Sequence, residues 1–128
     1  MKILLDTNFL LTCVKQNIDF FSLTEELFDE KIEFLLPEEV AEELENLAKR
    51  RGEKNTDKEA AKLALGILET KNLDRIALGN NNVDEGLIYY IKNIAMNNVV
   101  LATLDKDLRK RVNCKILTIE DKKSLKII

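Results

Sequence analysis

The sequence predicts an α/β fold, a three-layer α/β/α sandwich with a central, mostly parallel sheet of about five strands, and three observations lead there. The apolar runs are short and rich in Val, Ile and Leu, as strands buried on both faces are. Segments of helical period separate them, so strand and helix alternate along the chain. At 128 residues, 45% hydrophobic and 34% charged, the chain has the size and composition of one soluble domain able to enclose its own core, expected to span 1–128.

KILL supplies a first strand at 2–5, followed by helices over 8–15 and 20–30. EFLL forms a second strand at 33–36, and a helix runs over 38–50 after Pro37. A further helical pattern covers 57–71 and leads to RIAL, a strand at 75–78. Helix 84–97, strand 98–102 (NVVLA), helix 105–112 and strand 114–118 (CKILT) complete the alternation. The polar stretch KRRGEKNTDKE at 49–59 has no core-forming residue and is expected to be a protruding loop or a frayed helix junction.

Composition removes several chemistries. The chain has no histidine, which excludes Ser/His and Cys/His nucleophiles, HExxH zinc sites and an imidazole base. Cys13 and Cys114 lie far apart among apolar neighbours, without metal or redox spacing, and are expected to be reduced core thiols. No apolar run approaches the ~20 residues that cross a bilayer, and Asp6 interrupts what a signal peptide would need, so a cytoplasmic protein without membrane contact is expected. Net charge −3 does not announce a nucleic-acid binder. Two local basic groups soften that objection: Lys49, Arg50, Arg51 and Lys54, and Lys106, Arg109, Lys110 and Arg111. Arg50, Arg51, Lys106 and Arg109 are the candidate nucleic-acid contacts, although a solvated helix face explains either group equally well.

The candidate chemistry rests on carboxylates. Asp6 follows the first strand and Asp105 follows NVVLAT, and in an open parallel sheet residues past the carboxyl ends of strands share the ligand-binding edge. Each could instead cap the next helix. On helix 38–50, Val40, Leu44 and Leu47 form the apolar stripe; Glu43 lies roughly 80° from its centre, whereas Glu42 faces away. On helix 84–97, Asp84 projects within about 60° of Leu87, so it is expected inside the apolar stripe, where a carboxylate is costly unless paired, metal-bound or capping. Converging carboxylates repel until hard cations neutralise them, and oxygen ligands favour Mg²⁺ or Mn²⁺. Such a pocket suits hydrolysis of a phosphodiester without a protein base.

The ordered motifs LLDTNFLL, VAEEL, VDEGLIYYI and VVLATLDKDLRKRV, spanning about 2–118, resemble the PIN domain, a nuclease fold of toxin ribonucleases, RNA-processing factors and relatives of flap endonucleases. The resemblance implies an acidic quartet of Asp6, Glu43, Asp84 and Asp105 as catalytic and metal-binding residues, with Asp107 as a possible fifth ligand and Asn8 and Thr103 as polar residues holding the acids. It further implies a Mg²⁺- or Mn²⁺-dependent endoribonuclease acting on single-stranded or structured RNA, in RNA processing or as a toxin, with an antitoxin or ribosome-assembly partner and a homodimer as possible associations. The stretch 49–82 is the least family-like. Tyr89 and Tyr90 could stack bases or serve an oligomer contact. Two other readings stay open: a non-catalytic RNA- or protein-binding scaffold, which has no need of four carboxylates, and a phosphoacceptor switch, whose paired acids and late lysine fit LLDTN and TLDKD poorly.

Overall fold

A computed structural model describes residues 1–51, 56–121 and 123–128. Strand β1 (Lys2–Leu5) is followed by α1 (Thr7–Lys15) and α2 (Phe20–Leu27), then β2 (Glu33–Pro37), α3 (Glu38–Ala48) and α4 (Thr56–Glu69). Next come β3 (Asp74–Ile76), α5 (Val83–Tyr89) running into a π-helical turn (Tyr90–Ile94), β4 (Val100–Ala102), α6 (Lys106–Lys110), β5 (Lys115–Ile119) and β6 (Leu125–Ile127). The sheet order is β3-β2-β1-β4-β5-β6, parallel throughout except for antiparallel β5 and β6.

The strand sequences explain both cores. Ile3 and Leu5 of β1, Phe34 and Leu36 of β2, and Val100 and Ala102 of β4 face α1 to α4. Leu4, Leu35 and Leu101, one residue out of phase, face α5, the π turn and α6. Successive side chains alternate faces, so a continuous apolar strand must be covered on both sides. The α/β sandwich is therefore as expected, with one strand more than the sequence suggested.

That strand, β6, pairs by Thr118↔Lys126 and lies in a short, charge-flanked segment without a clear apolar run. Other boundaries differ for local reasons. The expected helix 84–97 passes into the π turn and stops where Met96 and Asn97 adopt left-handed φ of 51° and 62°. The expected strand 98–102 consequently pairs only from Val100. Of the expected loop or helix junction at 49–59, residues 52–55, including Lys54, lie outside the described residues, while Thr56 already begins α4. No helix among the described residues is long and apolar enough to cross a membrane.

The strand order places the site. From β1 the chain steps outward to β2 and β3, then returns to β4 on the other side of β1. The crevice past the carboxyl ends of β1 and β4 is thus a topological switch point, where open parallel sheets bind ligands.

Candidate active site

Asp6 stands at that switch point, only 4% exposed. Its backbone still belongs to the sheet, the Asp6 N–H donating to the Ala102 carbonyl at 3.1 Å. Its extended backbone makes it the N-cap of α1, and one carboxylate oxygen accepts from the Thr7 N–H at 2.8 Å. The other accepts from the Thr103 hydroxyl at 2.7 Å. Thr103, fully buried at the end of β4, also accepts from the Asp105 N–H at 3.1 Å, tying the ends of the two strands together.

No cation pairs with Asp6 among the described residues. Burial pushes its carboxyl up to about 6, against the two hydrogen bonds, and the charges of Asp84 and Glu43 raise it further. Capping explains part of Asp6. It does not explain burying a carboxylate beside two others, because an exposed cap would serve the helix without that cost.

Glu43 reaches the same place from α3. It is exposed, but the Thr7 hydroxyl donates to its carboxylate at 2.6 Å, so Thr7 holds Asp6 through its backbone and Glu43 through its side chain. Glu42 is exposed on the outer side of α3. Asp84 lines the cleft but is exposed, which corrects the expectation of a core-facing carboxylate. It does share a face with buried Leu87 and Ile91; in the first turn of α5, however, that face lines the cleft rather than the core. Nor does Asp84 cap α5: Asn82 does, accepting from the Glu85 N–H at 3.0 Å. Partial burial and the nearby Asp105 raise the Asp84 carboxyl, opposed by Arg111. Arg111 itself is paired to Glu85 at 2.8 Å.

Asp105 is half-buried and is the N-cap of α6, accepting from the Asp107 and Leu108 N–H groups at 2.9 and 3.0 Å. It borders the cleft through its charge on Asp84 without lining it. Asp107 is exposed and off the cleft wall. Asn8 is exposed on the wall and makes no side-chain hydrogen bond to the described residues. Thr7 occupies the bridging position instead; its place between Asp6 and Asn8 in the motif is the one signal of this that the sequence holds. Arg50 lines the cleft, whereas Arg51, Lys106 and Arg109 do not. Tyr90 lines a separate groove with Met1 and Lys2, at the opposite end of the strands. Cys13 is buried and its thiol pushed up to about 12 by that burial; Cys114 is half-buried, and both are free.

A second residue that sequence reasoning misses is Glu39, in the first turn of α3. Its carboxylate accepts from the Leu78 and Gly79 N–H groups, each at 2.9 Å. Burial opposes its charge, yet the backbone donors of Leu78, Glu39 itself, Gly79 and Asn80 together hold the carboxyl below its usual range. Periodicity groups Glu39 with the surface glutamates, because it says nothing about a loop arriving from 40 residues away.

The cleft encloses about 530 Å³, with Asp6, Glu43 and Asp84 on its walls. Among the described residues, no three acidic or thiol side chains are grouped closely enough to hold a metal ion as they stand. The donors are hard oxygens, and Thr7 fixes Asp6 and Glu43 relative to each other. Mg²⁺ keeps most of its own waters and needs only one or two carboxylates from a protein, the remaining positions being filled by substrate phosphate. The donor set fits such an ion.

Comparison with known proteins agrees with this architecture. A family model described as a PIN like domain matches residues 3–121. Ribonuclease VapC4 of Methanocaldococcus jannaschii is 34% identical over 129 residues, covering 98% of this chain and 95% of that protein. The solved PIN domain endonuclease Utp24 superposes with a TM-score of 0.77 at 23% identity, over 98% of this chain and 90% of that one. VapBC2 from Rickettsia felis, solved bound to a DNA fragment from its promoter, gives 0.57 at 16% identity, over 94% of this chain and all of that one. At these identities the two structures speak for the fold.

Proposed function

The chain belongs to the PIN-like domain family, and from that premise we propose that it is an endoribonuclease dependent on Mg²⁺ or Mn²⁺, with Asp6, Glu43, Asp84 and Asp105 as its working carboxylates. The observation that carries the proposal is Asp6: a carboxylate 4% exposed, without a cationic partner among the described residues, at the switch point of the sheet and on the wall of a cleft shared with Glu43 and Asp84. A fold that needed only a cap there would not bury a charge beside two like charges. The name of the relative at 34% identity, a ribonuclease, supports RNA as the substrate.

Asp6 and Glu43, which Thr7 fixes relative to each other, would hold the cation, with Asp84 and Asp105 adding negative charge beside it. When bound, the ion supplies Lewis acidity toward a phosphodiester oxygen and an attacking water. The protein's own part is positioning. Thr103 and the Thr7 N–H keep Asp6 in one orientation, and the Thr7 hydroxyl brings Glu43 toward it. Arg50, on the same wall, would meet the phosphate backbone of the strand.

The test is cleavage of single-stranded, hairpin and duplex RNA and DNA in Mn²⁺ or Mg²⁺, against chelator and against Asp6→Asn. Metal-dependent cutting of RNA that disappears in Asp6→Asn is expected. Cutting that persists in chelator or in the variant would reject the proposal.

A further inference from the structure

The loop that leads into α5 is more firmly built than its exposure suggests. Leu78 and Gly79 are pinned through their N–H groups to Glu39, with Gly79 at φ +70°, a conformation costly for any residue with a Cβ. Asn80 accepts from the Asn82 N–H at 2.9 Å, and Asn82 caps α5. Gly86 completes the anchorage: a Cβ there would stand 2.9 Å from the Leu78 Cβ, so only glycine lets α5 lie this close to the loop. Three independent attachments thus hold this short loop in place.

Within that frame the asparagines at 80–82 differ. Asn80 and Asn82 each commit a side-chain oxygen to a backbone N–H. Asn81 is exposed, lines the acidic cleft and makes no side-chain hydrogen bond to the described residues. The other groups on that wall are of limited use for reading a base. Carboxylates only accept, Arg50 only donates, and the Thr7 hydroxyl is committed to Glu43. A carboxamide offers a donor and an acceptor side by side, the pattern that matches a base edge, and it carries no charge to be repelled by the acids or drawn to the phosphates.

We propose that Asn81 is a specificity-determining residue of this cleft, its carboxamide hydrogen-bonding the edge of a base next to the scissile phosphodiester of single-stranded RNA, with Glu39 as the positioning residue that keeps the loop in place. This rests on the ribonuclease reading above. The pinned loop fixes the backbone from which the Asn81 carboxamide is presented, so only its own side-chain rotation remains to adapt to a base, and that narrows the base edges it can meet. Asn8 also presents a carboxamide, but from the helix that Asp6 caps and beside the acids themselves.

The experiment is cleavage of a single-stranded RNA pool randomised around the cut, sequenced to give relative kcat/KM for each base at each position. Wild type, Asn81→Ala, Glu39→Gln and Asp6→Asn are compared. Wild type is expected to prefer one base at a position adjoining the cut, and Asn81→Ala to reduce that preference by about 10-fold or more while the pattern at other positions is retained. Glu39→Gln should weaken the same preference and speed hydrogen exchange at the Leu78 and Gly79 amides, a local effect that a general loss of stability would not reproduce. An unchanged base profile in Asn81→Ala, or no preference in wild type, overturns the proposal. Faster exchange in Glu39→Gln with an unaltered profile overturns the part given to Glu39. Cutting that survives Asp6→Asn would instead fault the reading of the acid site, so the two failures are distinct.

Discussion

The two sides of the cleft are built on opposite principles. On the seam between β1 and β4, Asp6, Thr7 and Thr103 are buried and joined by hydrogen bonds of 2.7–2.8 Å through groups fixed by the sheet. On the rim, Glu43, Asp84 and Asn81 are exposed, supported by a single hydroxyl or by a pinned loop. The seam keeps a costly charge in a fixed place; the rim brings further charges and a reading group to it at little cost to the fold. Substitutions on the seam should therefore change stability and function in opposite or large ways, and those on the rim function alone.

The largest effect is expected at Asp6. Its folded carboxyl titrates at about 6 against an ordinary 3.8, so the folded chain binds this proton more tightly than the unfolded chain does. Stability from this group is complete below the unfolded value and is lost as pH rises through about 6. A carboxyl raised that far costs the folded state at most about 3 kcal/mol at neutral pH. In chelator, Asp6→Asn should thus be more stable than wild type at pH 7.5 by up to ~3 kcal/mol and should lose that advantage near pH 4, while RNA cleavage falls by ~10²-fold or more. Urea denaturation at the two pH values reads the first part. A variant less stable at both would make Asp6 a purely structural cap.

Thr103→Val comes next and has the opposite sign. It removes the hydroxyl that donates to the Asp6 carboxylate and accepts from the Asp105 N–H, leaving both groups short of a partner in a dry place. A hydrogen bond to a charged group is worth about 1.5–3 kcal/mol, so a loss in that range by thermal or chemical denaturation is expected. Removing it also raises the Asp6 carboxyl further. A neutral outcome would mean that the seam is wetter than its burial indicates.

The seam is also the legible half. Asp6 and Asp105 follow apolar runs that can only be strands, and strand ends in a parallel sheet share an edge, so their proximity follows from the alternation of elements. Thr7 and Glu39 are not legible, because their roles depend on a hydroxyl meeting a helix 36 residues on, and on a carboxylate meeting a loop 39 residues on. Asp84 shows a limit of helical periodicity. The pattern gives the face of a side chain but not whether the core or the solvent lies opposite that turn. Strand β6 escapes for a related reason: three residues with one lysine, LKI, carry no period of their own and are fixed by pairing to β5.

Thr7 links the two halves and should show an intermediate effect. Thr7→Val keeps the N–H that holds Asp6 but frees Glu43, which is exposed and can relax into water. Stability should change by less than ~1 kcal/mol, and cleavage should fall by ~10- to 100-fold, the usual cost of losing a group that orients a metal ligand. Thr7→Ser should restore most of it, since the hydroxyl is retained. Equal loss in both variants would show that the methyl group, not the bridge to Glu43, is what matters.

The smallest effect is the sharpest check on how the rim is built. Glu42 and Glu43 are adjacent, exposed and of identical chemistry, so composition and net charge cannot tell them apart. A rotation of about 100° on α3 separates them, and the Thr7 hydroxyl meets only Glu43. If the rim works by directed contact, Glu42→Gln should leave cleavage and stability unchanged within error, whereas Glu43→Gln should sharply reduce cleavage with stability within ~0.5 kcal/mol of wild type. If the rim works as a diffuse negative field that concentrates cations, the two substitutions remove the same charge a few ångströms apart and should weaken cleavage alike, more strongly at low salt. Measuring both variants at low and high ionic strength separates a positioned ligand from a field.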